Sequence, residues 1–198
     1  MGTIMISKKK LIPALAAALL LLPSCAPSGM SRVSQTDISS AYTRTDLSVA
    51  AARGPVPVIF SGTIPATDQS KAEAALLAAL PRYYVAGLTW RPATANDAGT
   101  RLVFAFGAEP IFPPDRLCGL APRLTLTPPS ASTPIQVAAA YCRGPSALSS
   151  TVGDVIDPAG ITGERAANLI SGMANALLPL HTPGDDDFRR PLFLRTGS

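Results

Sequence analysis

The chain predicts an α+β fold: a two-layer sandwich in which two helices lie on one face of a mostly antiparallel sheet of five to seven strands. Three observations lead there. Two segments, "TDQSKAEAALLAALP" and "TGERAANLISGMANALLP", each carry a single apolar stripe at helical spacing. Around them lie several short apolar or alternating runs bounded by Gly, Pro, Asn and Asp. The patterned span, residues 46–183, is about 140 residues long, which suits one domain with its own core.

The elements follow in order. "LSVAAARGPVPVIFSG" reads as two strands about a turn at Arg53-Gly54. Val56, Val58 and Phe60 alternate, and Pro57 between them lacks an N–H, which predicts an edge position. In the first helix Ser70 and Glu73 have the spacing of a capping box, Ala72, Leu76, Ala79 and Leu80 form the stripe, and Pro81 ends it. "YYVAGLTW" is strand-like and "NDAG" at 96–99 is a turn. "RLVFAFG" is apolar on both faces and predicts the central strand. Proline-rich loops frame "RLTLT" at 123–127. "PIQVAAAYC" then turns at Arg143-Gly144-Pro145 into "SALSSTV", a hairpin. In the last helix Ala166, Leu169, Ile170, Met173 and Leu177 share one face, a stripe whose ordinary use is core packing, and Pro179 closes it.

Residues 1–24 read as a secretory leader: Lys8, Lys9 and Lys10, then an apolar run from Leu11 to Leu22 that is short of the ~20 residues a bilayer span needs. Leu22, Pro23 and Ser24 run directly into Cys25. This arrangement resembles the bacterial lipobox, an apolar residue three before the cysteine and a small one just before it; Pro23 is a less usual residue at its position. The resemblance implies that Cys25 is acylated, becomes the new N-terminus, and holds the protein to a membrane. One acyl chain binds marginally, whereas two or three anchor durably. Ala26 stands where an aspartate resembles an inner-membrane retention signal, which implies the inner leaflet of the outer membrane, facing the periplasm. Residues 25–45 then form a Ser/Thr-rich tether, 46–183 the periplasmic domain, and 184–198 a partly packed tail.

The net charge of +4 comes mainly from the leader. Without the three leader lysines, 17 basic residues become 14, against 13 acidic. Such a balance lacks the clustered basic face of a nucleic-acid binder. Cys118 and Cys142 lack C-x-x-C spacing and sit in an exported chain, so they are expected to form a structural disulfide. Closing a loop of about 25 residues stabilises by roughly 3 kcal/mol in the chain-entropy model.

No residue set predicts catalysis, a metal or a cofactor. The one histidine, His181, follows a helix end, where it serves the last carbonyls more often than it serves as a base. No G-x-S-x-G elbow and no G-x-x-x-x-G-K loop occurs. "GDDDF" at 184–188 lacks the alternating oxygens of a calcium loop and reads as a solvated run beside Arg189 and Arg190. "RLVFAFG", then "LCG", then "AAYCRG" followed by "LSS" is similar to a pattern in a group of small bacterial envelope proteins, and that resemblance implies neither an activity nor a site. The expected sandwich also resembles accessory lipoproteins that brace outer-membrane machines, by fold analogy alone. The expectation is a non-enzymatic lipoprotein that binds an outer-membrane or periplasmic partner. The alternatives are a carrier of a lipid or small apolar ligand between helices and sheet, and a hydrolase built around His181 or a carboxylate pair.

Overall fold

A strand that is apolar on both faces demands a neighbour on each side and a cover over each face. The computed structural model, which describes residues 31–107 and 113–180, supplies all four to "TRLVFAF". The elements in chain order are β1 (Arg32–Ile38), α1 (Arg44–Ala52), β2 (Val56–Pro65), α2 (Gln69–Ala79), β3 (Trp90–Pro92), β4 (Thr100–Phe106), α3 (Pro114–Cys118), β5 (Arg123–Thr127), β6 (Ile135–Arg143) and β7 (Ser146–Val155). A 3-10 turn, Gly160–Thr162, leads into α4 (Glu164–Leu177).

The fold is α+β with a mixed seven-stranded sheet in the order β1-β7-β6-β4-β2-β3; β5 pairs with β2 beyond the end of β3. The long ladders, β1–β7, β7–β6 and β6–β4, are antiparallel. The pairings of β2 with β3, β4 and β5 are parallel, because the chain leaves β2 through α2 and crosses back before it rejoins the sheet.

Alternation divides the core. Leu102, Phe104 and Phe106 of β4 join the larger cluster, with Leu76 of α2 and Leu169, Ile170 and Met173 of α4. Val103 and Ala105 point the other way, into a smaller cluster with Ile59, Leu117, Cys118 and Cys142. The described residues thus contain four α-helices rather than two, and α3 covers the opposite face of the sheet from α2 and α4.

Several expectations are corrected. The first strand expected before Arg53 is α1: Leu47 is buried and Ala50 and Ala51 pack beside it, the i, i+3, i+4 spacing of a helix face. Residues 25–45 are not a tether throughout, because Arg32–Ile38 adds β1 to the edge of β7. Its side chains are largely exposed, so the pairing rests on the ladder and left no hydrophobic pattern to read. The domain therefore starts at Arg32, not at 46. Pro57 lies in an interior strand. Its neighbours Val56 and Val58 bond toward β3, so Pro57 faces β4, one residue before that ladder begins at Val58. The missing N–H costs nothing there. Of "YYVAGLTW" only Trp90 is in a strand; Gly87, at φ 77°, turns the chain out of extended geometry, and Trp90 Nε1 donates to the Pro81 carbonyl. The cap of α2 is Asp68, which accepts from the Lys71 N–H, with Ser70 donating to the same carboxylate.

The central strand, the 134–152 hairpin and the buried stripe of α4 agree with expectation. Helices α2 and α4 touch each other and share the larger core.

Candidate functional site

Helix α1 presents Asp46, Val49, Ala50 and Arg53 at i, i+3, i+4 and i+7, one continuous face. That face forms a wall of a cleft of about 610 Å³. The floor is the entry to β2 at Pro55 and Pro57, and the facing wall is Arg91 with the 96–99 turn. Arg143 closes it from the last residue of β6, which pairs with Thr100 at the start of β4. The cleft therefore occupies the end of the sheet where β2 and β4 begin and β6 finishes.

Charge pairing organises its walls. Arg91 grips Asp97 with both guanidinium nitrogens, at 2.8 and 2.5 Å. The Thr94 N–H and hydroxyl donate to the same carboxylate at 2.6 and 2.9 Å. The Arg91 hydrogen bonds, the largest influence, hold the Asp97 carboxyl well below the usual range; burial, next in size, opposes them, and the Thr94 hydrogen bonds add to the lowering. Arg143 Nη1 reaches Asp46 at 3.1 Å, and the Thr43 hydroxyl donates to Asp46 at 3.0 Å. Arg53 is different. Its guanidinium makes no hydrogen bond or ion pair among the described residues. Beside it Val49, 44% exposed, offers an apolar surface.

The wall behind this end of the sheet contains a second arginine environment. Arg101, only 5% exposed, donates to the Gly99 carbonyl at 2.8 Å and to the Cys118 carbonyl, and burial lowers its pKa. Its Nε and the Tyr141 hydroxyl are buried without a hydrogen-bond partner among the described residues. Burial also raises the Tyr141 pKa, and it pushes that of Tyr42, whose hydroxyl donates to the Pro179 carbonyl, up to about 12. These groups lie inside the packing and line neither described cavity. A second cavity, about 400 Å³, opens where β3 ends and β5 begins, between Phe60, Glu73 and Arg123.

Of the residues singled out from the sequence, Cys118 and Cys142 form a disulfide, with their Cα atoms 5.7 Å apart and a sequence separation of 24. It ties α3 to β6, a strand adjacent to β4. Cys25, His181, Asp185, Asp186, Asp187, Arg189 and Arg190 lie outside the described residues. The tail expected from 184 lies outside them too. Among the described residues no group of three or more His, Cys, Asp or Glu side chains converges on a metal position. No described helix is long and apolar enough to cross a membrane. Both described cavities lie between a helix and the sheet, α1 with β2 and β3 in the larger and α2 with β2, β3 and β5 in the smaller, and each is lined by charged as well as apolar side chains.

A reading of the segment from Leu47 as a strand with a turn at Arg53-Gly54 hides the residues of the larger cleft. The periodicity of Asp46, Val49 and Arg53 was the available signal, and it shows only once that segment is taken as a helix.

No protein-family model matches the chain, and no curated protein matches it. Among solved structures it is similar to a PelC dodecamer from Paraburkholderia phytofirmans, at 16% identity, over 76% of this chain and 97% of that one, with a TM-score of 0.36. A methionine-substituted variant of the same dodecamer aligns over 78% and 99%, at 16% identity and a TM-score of 0.31. At these values the likeness carries no functional argument.

Proposed function

We propose that the chain is a bacterial envelope lipoprotein, held by acyl groups on Cys25 to the inner leaflet of the outer membrane. In this reading it acts without catalysis, as a binding or assembly factor for an outer-membrane or periplasmic partner. The observation that carries the reading is the leader: three lysines, a short apolar run and a cysteine placed directly after Leu22, Pro23 and Ser24. The disulfide between Cys118 and Cys142 supports it, since such bonds persist in oxidising compartments. The fold that goes with it is a two-layer sandwich of α2 and α4 on one sheet face, with α3 as an addition on the other.

The anchor has a geometric consequence. Only residues 26–31 separate Cys25 from β1. At full extension they span about 25 Å, so the Arg32 end of the sheet stays close to the bilayer. Arg32 pairs with Asp154 at one end of β7, whereas Arg143 pairs with Ser146 at the other. The cleft is thus at the other end of the sheet, roughly 30 Å along a strand of nine or ten residues.

Purification of the full chain from its own membranes in mild detergent, with intact-mass measurement, tests the anchor. The expected mass is that of a chain beginning at a multiply acylated Cys25, and Cys25→Ser is expected to release the protein from membranes. An unmodified Cys25 in the recovered protein would overturn the reading. One envelope protein in stoichiometric amount is expected beside it; recovery of the lipidated chain alone would overturn the accessory role.

A further inference from the structure

We propose that the cleft between α1 and the 96–99 turn binds a ligand through a single carboxylate, with Arg53 as the recognising residue. The site has three arginines, Arg53, Arg91 and Arg143, and two aspartates, Asp46 and Asp97. Arg91 is committed to Asp97 and Arg143 to Asp46, so both aspartates are neutralised within the protein. Arg53 is left over among the described residues. The cleft therefore carries one uncompensated positive charge, on a planar fork whose geometry matches a carboxylate.

Charge count chooses between oxyanions. A monoanion brings the cleft to neutrality. A phosphate dianion would leave one negative charge beside the carboxylates of Asp46 and Asp97, which disfavours it. Pairing keeps Arg91 and Arg143 at the walls, so among the three arginines the ligand has only the exposed side chain of Arg53 to order. Val49, Pro55 and Pro57 line the same cleft and provide an apolar surface for the body attached to the carboxylate. A volume of about 610 Å³ is ample for such a body, in the range of small-molecule sites. Both a free organic acid and the C-terminus of a polypeptide present this chemistry. The inference is independent of the anchor, and an unlipidated chain would leave it intact.

The test is a ligand-observed NMR titration of the full chain in mild detergent, with micelles alone as blank. N-acetylleucine is compared with N-acetylleucinamide, which keeps the body and removes the charge. The acid is expected to bind at least about tenfold more tightly, since hydrogen bonds to charged groups are the stronger class. Arg53→Gln is expected to abolish that discrimination, and Arg123→Gln, at the other cavity, to keep it. Equal binding of acid and amide overturns the proposal, as does discrimination that survives Arg53→Gln, or no binding of either. Tighter binding of inorganic phosphate than of the acid overturns the monoanion assignment. The comparison on the unaltered chain decides the matter whether or not a variant folds. A short peptide acid that binds more tightly than N-acetylleucine assigns a chain terminus; equal affinity assigns a small acid.

Discussion

Helix α4 contributes the largest apolar face to the core, yet its own N-cap residue, Gly163, has no side chain with which to cap it. Asp157, six residues earlier and 5% exposed, takes that role. Its Oδ2 accepts from the N–H groups of Arg165 and Ala166 at 3.0 and 3.1 Å, the second and third helical positions, and its Oδ1 accepts from Ala159 at 3.0 Å. Asp157→Ala leaves all three donors unmet. Loss of a cap costs about 1–2 kcal/mol, and the third donor adds roughly 1 kcal/mol. The expected destabilisation is about 2–3 kcal/mol, or some 4–12 °C in the melting midpoint of a domain of this size. Urea titration with the disulfide intact measures it. Gly163→Ala supplies a second leg, because a Cβ at that position would overlap the Asp157 carboxylate. It is expected to cost much less in the Asp157→Ala background than alone, the mark of a shared contact. A loss below about 1 kcal/mol for Asp157→Ala, or strict additivity with Gly163→Ala, would refute the capping account.

Three further outcomes are expected. Replacing both Cys118 and Cys142 with alanine should lower stability by roughly 3 kcal/mol in the chain-entropy model, read as a urea midpoint unaffected by reductant; an unchanged midpoint relative to the oxidised parent would contradict it. Asp97 has a folded-state pKa below its ordinary value of 3.8, so its contribution is fully present above that value and fades as pH falls below it. Asp97→Asn should therefore reduce stability at pH 5–7 and flatten the acid limb, and parallel acid limbs for parent and variant would count against the pairing. Gly62, at φ 95° and close against the Phe106 carbonyl, leaves no room for a Cβ. Gly62→Ala should cost at least about 2 kcal/mol, from backbone strain plus the displaced ladder, and an unchanged thermal midpoint would show that the β2–β4 ladder can yield.

Part of this protein is written locally and part is not. The central strand, the hairpin of β6 and β7 and the buried stripe of α4 were legible because each side chain reports its own surroundings. Apolar faces at a period of two or 3.6 have few other uses. The α+β class follows from the same periodicity, whereas the pairing of Cys118 with Cys142 follows from the leader and the absence of C-x-x-C spacing. The leader and Cys25 were read from sequence alone and remain a proposal. Edges and partners were decided only in the tertiary structure. β1 is polar and gains its place from unpaired groups on β7, so no side-chain pattern announces it. Pro57 sits inside the sheet because its missing donor faces a ladder that has not yet begun, a fact of register. The cap of α4 comes from Asp157 through an intervening turn, and the cleft gathers charges from α1, β3, the 96–99 turn and β6. Whether an arginine is paired or free depends on which carboxylate the fold brings within hydrogen-bond reach. Local periodicity holds no information about that distance.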